Sequence, residues 1–290
     1  MSTVLNERNS VLELEPLSSV GGAAVTGVDL REPLTAALKS AIDEAFSTHH
    51  LLAFRNQALT EDDQLAFTRQ FGELEHHVIR LRDGKPAPLL HQITNLDAKG
   101  NPTSKPYSKG NYYWHTDKSY HQVPSLATLL HAVTLPPAGG DTEFANTRLG
   151  YEALPESRKT ELSALRVVHS WEASRRNSGN PPATAEEIRD RPPVTHPLVR
   201  THPVSGQLTL YLGIHTSHID GMDYDEGRAL LAELLEHTTQ SQFVYRHRWE
   251  TGDLVMWDNR CLLHRACPNY EMARFPRILN RTVVRGSAPY

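Results

Sequence analysis

Apolar residues along this chain recur with two periods, and the changes of period divide it into elements. Over 34–48, Leu34, Leu38, Ala41, Ile42, Ala45 and Phe46 return at helical spacing and predict an amphipathic helix. Thr60, with Asp63 three positions on, has the form of an N-cap and its acidic partner. Leu65, Phe67 and Phe71 then give the next helix an apolar stripe that Gly72 ends. A third helical pattern covers 151–165, with Pro155 near its start. The cleanest runs over 225–237 through Leu230, Leu231, Leu234 and Leu235.

The remaining apolar stretches are short and extended. Residues 11–30, with Gly21-Gly22 and Gly27, predict a small strand pair. Strands are expected at 51–54, at the aromatic-rich 111–117, and at 127–135, where Pro136-Pro137 stops the run. Others follow the Gly139-Gly140 turn and fall at 167–171, 196–201, 208–212, 243–249, 253–257 and 277–284. Two stretches lack any period: long insertions around 80–112, rich in Gly, Pro and Lys, and 174–193, rich in Arg, Asn and Pro. Both read as loops, and the second is expected to act as a lid. Early helices followed by many short strands predict a mainly β fold with flanking helices, in one domain spanning 1–290.

Composition narrows the functional classes without naming one. The 39% hydrophobic content, 22% charge and net charge of −4 describe an ordinary globular chain and give no basis for a nucleic-acid partner. No apolar run approaches the roughly 20 residues that span a bilayer, and the polar residues 1–10 lack a secretory pattern, so a cytoplasmic location without membrane contact is expected. Cys261 and Cys267, beside His264, build no disulfide framework. A Cys/His zinc site there would lack a second cysteine pair.

The candidate chemistry lies at Trp114-His115-Thr116-Asp117. A histidine and a carboxylate at i and i+2 of an extended segment share a face, their Cα atoms about 7 Å apart, close enough to chelate one ion. The spacing is common: 16 His and 14 Asp in 290 residues make about one such tripeptide a matter of chance, and His218-Ile219-Asp220 repeats it. With His264 as a third ligand, His115 and Asp117 would form a facial triad suited to non-haem iron(II). Equally, they would form a surface ion pair beside a hydrogen-bonded core histidine. In a strand over 277–284, Arg277, Leu279, Arg281 and Val283 share a face, with the arginine Cα atoms about 13 Å apart. Inward-facing, each guanidinium needs an anion, and two different carboxylates would serve; exposed arginines on an edge strand give the same pattern.

Taken in order, four motifs carry a resemblance. They are Trp114-His115-Thr116-Asp117, then Gly139-Gly140-Asp141-Thr142-Glu143-Phe144, then Gly252-Asp253-Leu254-Val255-Met256-Trp257-Asp258-Asn259-Arg260 with His264-Arg265, and Arg277-Ile278-Leu279-Asn280-Arg281. From about residue 25 to 285 the chain resembles the taurine dioxygenase and 2,4-dichlorophenoxyacetate dioxygenase family. Residues 226–248 and 257–265 are especially similar to the phenoxyacetate branch. The resemblance selects His115 over His218.

The resemblance implies a double-stranded β-helix, or jelly-roll, core and an oxygenase that uses Fe(II), 2-oxoglutarate and O₂. Carried over by residue, His115, Asp117 and His264 match the iron ligands, and Thr142 and Arg277 match the residues that hold the distal carboxylate of 2-oxoglutarate. Arg281 matches a position that meets the substrate anion, while Asn111 and His77 match substrate-pocket positions. The substrate implied is a small carboxylate, an aryloxyalkanoate whose ether bond is cleaved to a phenol and an oxo acid. An alkylsulfonate, sulfate ester or N-acyl amino acid would meet the same arginine. His77, Arg80 and the Arg175-Arg176 segment are candidates for choosing among them. A non-catalytic jelly-roll binding module and a zinc hydrolase are the readings from other classes. Assembly as a homo-oligomer is also expected. One departure stands out: Arg277 lies 13 residues (277 − 264) after His264, longer than the family interval. An insertion within 267–273 accounts for it and leaves Arg274 as the alternative anion-binding arginine.

Overall fold

Strong β-formers at alternate positions build the sheets at the centre of the molecule, with helices outside them; the computed structural model describes residues 12–76, 88–105 and 107–290. The chain opens with β1 (Glu13–Pro16) and β2 (Ala23–Thr26), paired antiparallel. Next come α1 (Ala36–His49), β3 (Leu51–Phe54) and α2 (Glu61–Arg69), the last opening on the expected capping box of Thr60 and Asp63. β4 (His91–Thr94), a 3₁₀ turn (Lys109–Tyr112), β5 (Ser125–Thr134) and β6 (Thr142–Asn146) precede α3 (Thr147–Glu152) and α4 (Glu156–Leu162). The middle of the chain holds β7 (Arg166–His169), α5 (Trp171–Asn177), α6 (Ala185–Asp190), β8 (Val194–Pro197), β9 (Val199–Thr201), β10 (Leu208–Leu210) and β11 (Thr216–Ile219). After α7 (Tyr224–Thr238) the chain ends with β12 (Val244–His247), β13 (Leu254–Asp258), β14 (Leu262–Ala266) and β15 (Ile278–Arg285).

The main sheet has the order β1-β2-β3-β13-β5-β15-β4, and a smaller sheet, β12-β6-β14, supplies a second layer. Leu130, Phe144, Val255, Trp257, Leu262 and Leu279, drawn from both sheets, share one buried core. On the main sheet, Leu254 and Met256 belong instead to the core beneath α1 and α2, with Ile42, Phe46 and Phe67. Strand β13 thus sends alternate side chains into two cores, as a strand covered on both faces must. A third core gathers Leu198, Leu210, Leu212, Ile219, Leu231 and Leu234 around α7. The architecture is the predicted one, mainly β with helices outside.

Four local expectations need correction. Residues 151–165 are two helices: Pro155 has no N–H to continue α3 and serves instead as the N-cap residue of α4. The expected loop at 174–193 contains most of α5 and all of α6, capped by Ser170 and by the Thr184/Glu187 capping box. Segment 111–117 is no regular strand; it leaves the 3₁₀ turn and meets β14 through a single bridge, His115 with His264. The insertion around 80–112 holds β4, which pairs with β15. His77 and Arg80 lie outside the described residues. Among the described residues, no helix is long and apolar enough to cross a membrane.

Candidate metal centre and its cavity

The bridge between His115 and His264 is reciprocal: each backbone N–H donates to the other residue's carbonyl, at 3.1 and 2.8 Å. It sets the imidazoles side by side, ring centroids 4.1 Å apart. Asp117, two residues on, returns to the same place, and one donor atom from each of the three residues lies within 4.8 Å of the others. All three are buried.

Two of the three donors are oriented from behind, while His264 Nδ1 is buried without a hydrogen-bond partner among the described residues. The Nδ1–H of His115 donates to the Tyr113 carbonyl at 2.7 Å, which leaves Nε2 as the nitrogen with a lone pair. Thr128 donates its hydroxyl to Asp117 Oδ2 and accepts from Asn259 Nδ2 at 2.9 Å. Asn259 also fixes the backbone of the motif: its carbonyl accepts from the Thr116 hydroxyl at 2.6 Å and its side-chain oxygen from the Asp117 N–H at 3.3 Å. Two imidazoles and a carboxylate, so placed, fit a divalent metal of the iron(II) kind with room opposite.

Electrostatics agree with that donor set. Burial would raise the Asp117 carboxyl, but Arg281, whose Nη2 lies 2.7 Å from Oδ2, outweighs it with help from His264, His115 and Thr128 and holds it well below the usual range. Burial depresses His115, and burial reinforced by the neighbouring His115 depresses His264 further, so both rings are neutral at pH 7, the form a metal requires.

The triad lies in the wall of a cavity of about 790 Å³. Thr142, Arg277, Arg281 and Asn111 also line it. The arginines face inward from β15 and the residue before it, as their spacing predicts, with Leu279 between them. Arg274 is exposed and pairs with Glu271 at 3.7 Å, so Arg277 is the arginine in the cavity. Arg277 is almost fully buried, its Nε donating to the Gly140 carbonyl at 3.0 Å. Of the Arg175-Arg176 pair, only Arg175 faces the cavity; Arg176 lies against Tyr224. His218 of the competing tripeptide is on β11 and lines no part of the cavity.

Sequence reasoning missed several cavity residues. Trp171 and Ser174 of α5, with Tyr120 and His215, join the expected Arg175 in an aromatic and polar wall; the Tyr120 ring is 5.2 Å from Trp171 and 4.9 Å from His215. Lys118 is buried beside the triad, pairs with Glu75 at 3.0 Å and donates to the His76 carbonyl at 2.8 Å. None of these has a motif spacing; Ser170, an N-cap before an aromatic residue, was the one local sign of α5.

The family model for "Taurine catabolism dioxygenase TauD, TfdA family" matches residues 13–283. The chain belongs to this dioxygenase family. It is thus an oxidoreductase of the iron(II)- and 2-oxoglutarate-dependent class, with the jelly-roll core of its structural neighbours. It is 42% identical, over 86% of its own length and 90% of the relative's, to the alpha-ketoglutarate-dependent 2,4-dichlorophenoxyacetate dioxygenase of Cupriavidus pinatubonensis. To the (S)-phenoxypropionate/alpha-ketoglutarate-dioxygenase of Sphingobium herbicidovorans it is 34% identical, covering 88% and 89% of the two chains. The crystal structure of AAD-2 in complex with Mn(II) and N-oxalylglycine superposes with a TM-score of 0.86 at 38% identity, covering 96% of this chain and 98% of that one.

Proposed function

We propose that this dioxygenase acts on an aryloxyalkanoate, hydroxylating the carbon next to the ether oxygen, with His115, Asp117 and His264 holding iron(II). The observation that carries the reading is the position of Arg281, 2.7 Å from Asp117 and on the cavity wall. A carboxylate bound to that guanidinium would be held beside the triad, and with it the α-carbon, which in aryloxyalkanoates bears the ether oxygen. Tyr120 and Trp171 offer flat apolar surface for the aryl ring. The relatives named for phenoxy acids support the same substrate class.

Arg277 and Thr142 would take the distal carboxylate of 2-oxoglutarate. Arg277 is suited to it, because a guanidinium so deeply buried needs an anion and binds a carboxylate through two parallel hydrogen bonds. Thr142 accepts from the Trp249 indole at 3.0 Å, which leaves its hydroxyl proton to donate. Iron(II) held by the triad, with 2-oxoglutarate and dioxygen, supplies the oxidant that replaces hydrogen by hydroxyl and releases succinate and carbon dioxide. The protein's share is to fix the α-carbon, exclude water and set direction. The hydroxylated product is a hemiacetal that collapses to a phenol and an oxo acid.

Succinate release from a panel of small acids tests the substrate class. Phenoxyacetates are expected to couple 2-oxoglutarate turnover to phenol formation at least about tenfold better than taurine, an alkylsulfonate. Strong coupling to taurine with none to phenoxyacetates would overturn the proposal.

A further inference from the structure

The long interval between His264 and Arg277 raises a physical question: what fixes Arg277 after an irregular loop? The loop over 267–276 is held on two sides by asparagines. From β6's approach, Asn269 Oδ1 accepts from the Gly140 N–H at 2.8 Å and the Asp141 N–H at 3.3 Å, while its Nδ2 donates to Asp141 Oδ2 at 2.8 Å. From the end of β4, Asn95 donates through Nδ2 to the carbonyls of Met272 and Phe275, at 2.6 and 2.9 Å. Its Oδ1 accepts from the Arg277 backbone N–H at 2.8 Å. Asn95 is 3% exposed, so water does not replace these bonds if the side chain is lost.

The guanidinium end is set by the same frame. Gly140, whose amide Asn269 holds, gives its carbonyl to Arg277 Nε at 3.0 Å. A methyl group on Gly139 would lie 2.0 Å from the Asn269 carbonyl oxygen, and one on Gly140 2.9 Å from Arg277 Nε, so turn, loop and arginine interlock. Asn95 is not itself a lining residue of the main cavity; it reaches that wall through Arg277, whose backbone it holds.

We propose that Asn95 is a positioning residue for the co-substrate: by clamping the 272–277 backbone it aims Arg277 and so sets affinity for 2-oxoglutarate. The proposal rests on the reading that Arg277 holds that carboxylate. Asn95→Ala is expected to weaken 2-oxoglutarate binding about tenfold, since small displacements of a binding group are costly. The loss appears in KM for 2-oxoglutarate and in its Kd by calorimetry on Mn(II)-loaded protein. Meanwhile kcat and KM for the organic acid stay within about twofold. A merely structural role would lower Tm and the folded fraction without changing Kd per folded molecule, and that result overturns the proposal. Asn269→Ala, which loosens the same loop from the other side, is expected to raise the same Kd several-fold. It supplies the decision if Asn95→Ala does not fold, an unchanged Kd again counting against the proposal. Arg277→Met separates the two readings. If it leaves 2-oxoglutarate binding intact, the role assigned to Arg277 fails; if it abolishes binding while Asn95→Ala has no effect on Kd, only the positioning role fails.

Discussion

Among the described residues, two buried clusters of the same chemical kind bring potential metal donors together, and they differ in how those donors are already engaged. His50, His202, Asp258 and Cys261 bring donor atoms within 4.8 Å of one another, as His115, Asp117 and His264 do. In the first, Arg260 donates to both oxygens of Asp258, at 2.7 and 2.6 Å. His202 accepts the Ser205 N–H at Nδ1, 3.1 Å, so its proton is on Nε2 and goes to Asp258 at 2.9 Å. No imidazole lone pair is left there at His202. In the second, the Tyr113 carbonyl takes the proton of His115 and leaves a lone pair pointing at its companions. His202 and His115 thus carry opposite tautomers, and only the second set borders the cavity. Proximity of histidine and carboxylate is therefore a poor criterion by itself; what each donor already bonds to, and whether the set borders open space, separates the two. The Cys/His site considered for Cys261, Cys267 and His264 does not form among the described residues: the three do not bring their donor atoms together, and both cysteines are free and buried.

The comparison breaks most sharply at the ligands. His264→Ala is expected to lower 2-oxoglutarate turnover at least about 10³-fold and to remove iron from anaerobically purified protein, with Tm nearly unchanged. Retention of one iron per chain would remove His264 from the site. Asp258→Ala should do the reverse. It strands the buried Arg260 cation and is expected to cost about 3–5 kcal/mol in urea unfolding, while iron per folded chain stays the same. A second metal in the wild type, lost with Asp258→Ala, would show that the tautomer argument is wrong.

The pH dependence of stability comes next in size. Burial lowers His50 to about 4, and burial with the nearby Lys118 lowers His121 to about 4, against 6.5 for the free side chain. Both are neutral in the folded protein, and the unfolded chain takes up their protons first. Their contribution is complete above pH 6.5 and is lost as pH falls from there toward 4, by up to about 3 kcal/mol for each. Urea midpoints at pH 7.5, 6 and 4.5 measure it, and His50→Asn should flatten part of the acid limb. The smallest effect is expected of Cys261→Ala. It removes one buried sulfur at a cost of about 1 kcal/mol and leaves the metal content untouched; loss of iron would link the two clusters.

What the sequence disclosed follows a physical rule. Elements with a strong local signature were legible: the stripe of α7, the Thr60/Asp63 box, and the arginine pair on one face of a strand. The three triad residues were legible only through the ordered motifs that resemble the family; their spacing alone left the surface ion pair open. Helices α5 and α6 were not, because α6 buries no residue and so shows no apolar period. Strand β14 hid in five residues, and β4 in four. The orienting groups Thr128, Asn259 and Asn95 were invisible for another reason: their partners are distant in sequence, and a single asparagine carries no periodic sign.

The reciprocal backbone bridge between His115 and His264 also dictates when the centre comes into being. Its two halves are 149 positions apart (264 − 115), so synthesis from the N-terminus delivers two donors long before the third. A nascent chain that has not yet emitted β14 has nothing to pair with His115, and any ion it meets is held by two donors at most. On the proposed assignment of the triad, metallation is expected only after the C-terminal strands have closed the sheets.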